Sequence, residues 1–161
     1  MRVIALSLLF NVYWVIAVVG QQDYWPLLAV LLAGSLVFDR KLLWVVPSFA
    51  IIGILGDSAL MFSGVFEFPD NILPIWLMFL WAGFAAYVWL VKDWILDKPK
   101  WLLLVAGAVG GSMSYLGGYR LNAVAFPYGM LETALVLVVV WLCYSAIFLA
   151  LISRNSTREV A

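Results

Sequence analysis

Apolar positions gather into six runs, about 3–20, 24–39, 42–66, 73–96, 101–118 and 130–152, separated by short polar or charged stretches. A helix rises 1.5 Å per residue, so runs of about 20 residues with few charges have the length to cross a hydrocarbon core of about 30 Å. The separators carry turn and charge signals: Gln21 to Asp23, Asp39 to Lys41, Glu67 to Asn71 around Pro69, Lys92 to Lys100 around Pro99, and Gly117 to Gly129 around Pro127. The pattern predicts an all-α, polytopic membrane protein: a six-transmembrane-helix bundle forming one domain over 1–161, with a polar tail after Arg154 that frays.

Two runs need a decision. The first, behind Arg2, resembles a signal peptide, with Val18-Val19-Gly20 in the place of a cleavage site. It reads better as a retained span, because it is longer than a typical signal core, holds Asn11 near its centre and is followed at once by another run. The second run has too few apolar residues to cross fully unless it is counted from Gln21 to Arg40, which gives roughly 28 Å; a re-entrant hairpin is the alternative.

Charge placement favours the full span. With six spans and a cytoplasmic Arg2, eight of the nine basic residues (Arg2, Arg40, Lys41, Lys92, Lys98, Lys100, Arg154, Arg158) share one side and only Arg120 lies opposite. That is the positive-inside pattern, and it puts both termini in the cytoplasm. Omitting the second run would send the next basic cluster outside.

Composition agrees: 66% of residues are hydrophobic and 11% charged, against roughly half and a quarter in soluble domains. Net charge is zero with no basic cluster, which gives a nucleic-acid partner no support. One cysteine, Cys143, and no histidine exclude an internal disulfide and Cys/His metal or haem ligation, and no cofactor is implied. Cys143 reads as a small core hydrophobe.

Against this background Asp57 stands out, the acid set deepest in any run, within Gly53-Ile54-Leu55-Gly56-Asp57-Ser58. An ionisable group at such depth is costly unless protonated, paired or facing a wet cavity, so it is read as functional. The topology puts it toward the outer leaflet with Arg120 and Glu132 at a similar level, and Arg120 is expected to pair with one of the two acids. Glu132 also suits the first turn of the sixth helix, where a carboxylate is electrostatically welcome.

Gly53 and Gly56 beside the acid, and Gly107, Gly111 and Gly118 on the fifth run, are expected to pack helices closely. Trp25, Trp44, Trp76, Trp89, Trp94 and Trp101 lie near run ends, as interfacial belts do. Trp14 and Trp81 do not, and read as core or pocket wall alike. Asn11 reads as cross-helix glue or a ligand contact.

The chain resembles an uncharacterised family of small bacterial inner-membrane proteins, a domain of unknown function. The likeness rests on Asn11 and Trp14, Gly53 to Asp57, Pro74-Ile75-Trp76-Leu77 with Leu80-Trp81 and Phe84-Ala85, and Gly110-Gly111 through Tyr115, Gly118 and Arg120. It covers nearly the whole chain. The resemblance implies a bacterial inner-membrane location and a lipid-related context, since such proteins are often encoded near fatty-acyl-modifying enzymes. The bundle is also similar in architecture to substrate-binding subunits of vitamin uptake transporters, and the third run to that of a cell-shape membrane subunit. The tryptophan-proline signature of tryptophan-rich sensory proteins is missing.

The leading expectation is a non-enzymatic protein that binds or passes a small apolar, lipid-like or quinone-like molecule in a cavity near the outer leaflet. Asp57, Arg120, Glu132 and Asn11 would supply polar contacts, and Trp14, Trp81 and Tyr115 the walls. The alternative is a scaffold whose glycine faces dock a second copy or a membrane partner such as a lipid-modifying enzyme. Catalysis has the least support, because no nucleophile with an adjacent base and no metal cluster is legible.

Overall fold

A computed structural model describes the backbone of residues 1–160 and the side chains of residues 1–154. It is helical throughout: α1 (Arg2–Ser35), α2 (Leu42–Phe62), α3 (Ile75–Leu90), the short α4 (Lys92–Leu96), α5 (Lys100–Arg120) and α6 (Met130–Val160). Four helices are long and apolar enough to cross a membrane, α1, α2, α5 and the Met130–Arg154 part of α6, whereas α3 is apolar but shorter. Outward-facing side chains such as Leu8, Val15, Leu135 and Val139 are apolar and exposed. A contiguous apolar exterior of this kind is stable in lipid and a liability in water. The fold is compatible with a membrane protein.

α1 is broken at Gln21, whose φ of 42° and ψ of −125° are not helical. The two arms run in opposite directions against α3. In the first arm Ser7 meets Tyr87 at 2.9 Å, Phe10 lies against Phe84, and the Tyr13 hydroxyl donates to the Phe79 carbonyl at 2.8 Å, an antiparallel order. In the second, Trp25 stacks on Phe79 while Leu32 and Leu36 pack beside Ala86 and Trp89, a parallel order. Gln21 therefore turns the first two runs into a tight helical hairpin. α2 is antiparallel to α3, with Leu42 near Trp89 and Gly53 under Trp81; α6 is antiparallel to α5, with Gly107 facing Ser145 and Gly111 facing Trp141.

Several boundaries differ from the hydropathy runs. The fourth run breaks at Val91, dividing α3 from α4. The helix of the third run, α2, stops at Phe62, because Gly64 (φ 77°) begins a cap instead of another turn. α6 continues past 152 to Val160; the side chains of the expectedly frayed tail, that of Arg158 included, lie outside what the structure describes. Trp76 and Trp89 are buried, whereas Trp44, Trp94 and Trp101 are exposed as a belt would be. Cys143 is exposed on α6, not a core residue, because it lies off the inward stripe of that helix.

The two ends of the bundle are closed differently. At one end the loops after α2 and α5 form a cap, joined by a two-way backbone bridge: Glu67 N–H donates to Ala125 O at 3.1 Å and Ala125 N–H to Glu67 O at 3.0 Å. Phe66, fully buried, stacks on Tyr115 and Phe126 beneath it. At the other end the Trp89 indole donates to Asp39 at 2.8 Å, and Lys92 sits 4.3 Å above the Trp89 ring. Partial burial raises the Asp39 carboxyl, but the indole bond, the Lys41 backbone N–H and the Lys41 and Lys92 charges outweigh it and hold its pKa below the ordinary value.

Candidate functional site

Asp57, five residues before the end of α2, is completely buried. Its Oδ2 accepts two hydrogen bonds, from the Trp81 indole N–H at 2.7 Å and from the Tyr115 hydroxyl at 2.6 Å. Three helices thus meet at one carboxylate oxygen. The local sequence makes this possible. Gly53, one turn before the acid, lets the Trp81 ring lie across α2, where a Cβ would overlap the indole. Gly56 does the same for Tyr144 of α6, whose hydroxyl rests on that glycine. The two glycines precede Asp57 by four residues and by one, and each admits one aromatic side chain from a neighbouring helix.

An aromatic box surrounds these contacts. Trp81 stacks on Trp141, with centroids 5.5 Å apart and planes at 15°, and takes Tyr144 edge-on at 5.2 Å. Phe84 and Phe148 complete it, and Tyr115 approaches Trp141 edge-on. Within this apolar setting four buried polar atoms have no hydrogen-bond partner: Asp57 Oδ1, Thr133 Oγ1, Trp141 Nε1 and Tyr144 Oη. Unpartnered polar groups in a dry interior cost about 1–3 kcal/mol each, so Trp141 and Tyr144, packed edge-on, together with Asp57, next to the glycine that carries the Tyr144 hydroxyl, mark a place that stability alone does not explain.

Beside the box lies a cavity of about 600 Å³ between the first arm of α1, α3, α5 and α6. Its walls include Trp14, Trp81, Tyr115 and Trp141, with Asn11, Ser114 and Ser145 as polar points. It extends from Phe68, Trp76 and Val124 under the cap to Trp94, Ile95 and Ile152 at the far end. It therefore follows most of the bundle instead of sitting only near the capped side. Trp14 closes one flank by donating to Ser114 Oγ at 2.6 Å while lying against Gly117.

The expected site residues divide into groups. Trp81 and Tyr115 join Asp57 directly, and with Trp14 and Asn11 they line the cavity. Asn11 bonds back to the Ser7 carbonyl at 2.8 Å in its own helix, so it is not cross-helix glue. Arg120 is exposed at the end of α5 and is not among the partners of Asp57; the indole and phenol occupy the place expected for it. It lines a separate shallow hollow with Glu67 and Asn122 beneath the cap loops. Glu132 is also exposed, in the first turn of α6 beside Gly129. Gly107 and Gly111 are occupied by Ser145 and Trp141, and Gly118 by Val124.

Trp141, Tyr144 and Phe148 were not among the expected residues. Their signal is the stripe Thr133, Leu137, Trp141, Tyr144, Phe148, Ile152, spaced four, four, three, four and four apart, all buried. In a helix apolar all round, such a stripe is hidden among equally hydrophobic neighbours. Among the described residues no group of three or more His, Cys, Asp or Glu side chains is placed to hold a metal ion.

The family model described as "Protein of unknown function (DUF2878)" matches residues 3–147. No curated protein and no solved structure matches the chain.

Proposed function

The chain belongs to this family of unknown function, and from that premise we propose that it is a six-span membrane protein that holds or passes a largely apolar, lipid-like or quinone-like molecule in its internal cavity. The observation that carries the reading is the 600 Å³ cavity, within the size range of small-molecule sites and walled almost entirely by aromatic and aliphatic side chains. The strict alternation of helix directions, with the Gln21 reversal splitting α1 into two crossings, supports six spans. With that count the end carrying Arg2, Arg40, Lys92 and Lys100 is cytoplasmic and the capped end faces outward, as in a bacterial inner membrane.

Gly107 and Gly111 are used up inside the chain, so a scaffold that docks a partner through those glycines has less support than the cavity. Gly110 offers the cleanest test. It lines the cavity, and a Cβ there meets nothing within 4 Å, so a side chain can begin there without overlap and Gly110→Phe adds bulk at the cavity wall. Native mass spectrometry of the purified chain is expected to show a retained small apolar molecule that Gly110→Phe loses. Equal retention, or none in the wild type, overturns the reading.

A further inference from the structure

We infer that the occupant of this cavity is a hydrocarbon chain of a membrane lipid, and that it enters sideways from the cytoplasmic half of the bilayer through a slit between the first arm of α1 and α5. The inference rests on the cavity reading above and adds its ligand class and route.

The route follows from which cavity residues are covered. Two sides are closed: Trp76, Trp81 and Val88 of α3 and Trp141, Phe148 and Ile152 of α6 line the cavity and are buried. On the remaining side Asn11 of α1 and Ala106, Gly110 and Met113 of α5 line the same cavity and are exposed. Beside them on their helices stand Leu8, Val12, Val105 and Val109, exposed apolar side chains of the outer surface. Residues that belong at once to the cavity wall and to the outer surface form the rim of an opening.

The opening does not run the whole length of the bundle. Trp14, bonded to Ser114 and lying against Gly117, spans the gap between the two helices, and the buried Phe68 and Val124 of the cap close the end beyond it. The slit therefore lies on the side of Trp14 toward Arg2 and Lys100, the cytoplasmic end in the six-span arrangement. From Leu103 to Met113 it rises about 15 Å, half of a hydrocarbon core of about 30 Å and so the depth of one leaflet.

The occupant follows from what meets that opening. At this depth the rim faces lipid tails, and its one polar side chain, Asn11, is tied to the Ser7 carbonyl of its own helix. A helix of another protein is about 10–12 Å across, so it would cover the slit and leave the space behind it empty. A lipid chain is narrow enough to pass in, and long enough to follow a cavity that reaches from Trp94 to the cap. It also supplies the dispersion contacts that an empty apolar cavity lacks along its whole lining.

The test places the chain in phosphatidylcholine vesicles that include a phosphatidylcholine with a photoactivated diazirine in one acyl chain. Mass spectrometry after irradiation locates the labelled residues. Wild type is expected to carry label on the buried walls, at Val88 and Phe148, as well as on the outward Leu135 and Val139. In a Cys143→Ser background, a flexible bismaleimide joining Asn11→Cys to Gly110→Cys before reconstitution seals the slit. Neither position is packed, since Asn11 is exposed and a Cβ at Gly110 meets nothing within 4 Å. The sealed chain should lose the wall label and keep the outward label. Wall label that survives sealing, or a wild type labelled only at Leu135 and Val139, overturns the inference. So does efficient bridging of two copies through Gly110→Cys alone, because a second chain then covers the slit. The cavity reading is judged separately: a small molecule retained by wild type and lost in Gly110→Phe leaves it standing whatever the label shows. If the bridge does not form, the presence or absence of wall label in the wild type still decides the matter.

Discussion

Tyr115 donates its hydroxyl to Asp57 Oδ2 across 2.6 Å, and this bond joins α5 to α2 at the level where Phe66 of the cap stacks on the tyrosine ring. Tyr115→Phe keeps the ring stack and removes the donor, leaving the carboxylate with Trp81 alone. The expected loss is about 1–3 kcal/mol, read as a lower unfolding midpoint in detergent. If the midpoint is unchanged, the bond does not hold the carboxylate.

Gly53→Ala and Gly34→Ala form a matched pair. At Gly53 a methyl would overlap the Trp81 indole, so that ring must move and its bond to Asp57 with it; a cost of about 1–3 kcal/mol is expected. At Gly34 nothing lies within 4 Å, and the same change is expected to stabilise the second arm of α1 by about 0.5–1 kcal/mol through helix propensity. Opposite shifts in the unfolding midpoint check both.

The reversal at Gln21 sets the topology. In a Cys143→Ser background, Asp23→Cys and Asp70→Cys are expected to react with an impermeant maleimide added to intact cells. Arg40→Cys and Lys98→Cys are expected to react only after the membrane is opened. Labelling of position 23 from the same side as position 40 would mean that the first helix crosses once and the hairpin is wrong.

Asp39 offers a pH test at the basic end. Its pKa is lower folded than unfolded, so the bond to Trp89 stabilises fully above the ordinary carboxylate value of about 3.9. That stability is lost as pH falls through the lower folded value. The unfolding midpoint of wild type should therefore drop below about pH 4. Asp39→Asn, which has no such proton to gain, should lack that step and be less stable than wild type at neutral pH.

Much of this was legible in the sequence where a polar residue interrupted an apolar run. Asp57, Trp81 and Tyr115 do converge, and the glycines at 53, 56, 107 and 111 do admit neighbouring helices. Charge counting misled for Arg120: a lone base near two acids looks like a partner, but Asp57 lies deeper than the end of α5 and finds donors on aromatic rings instead. The inward face of α6 was hidden because lipid makes the outward faces hydrophobic too, so the contrast that reveals an inner stripe in a soluble helix is missing. The cap was hidden for another reason. Its Val65 and Phe66 extend the apolar run of α2, and only the backbone turn at Gly64 separates them from that helix.

The link between Glu67 and Ala125 is made entirely by main-chain atoms, and both side chains point away exposed. Evolution can therefore exchange either residue for nearly any other without untying the cap loops. Proline is the exception at both positions, since it lacks the N–H that each must give. This fastening is thus one that the identity of its residues does little to record.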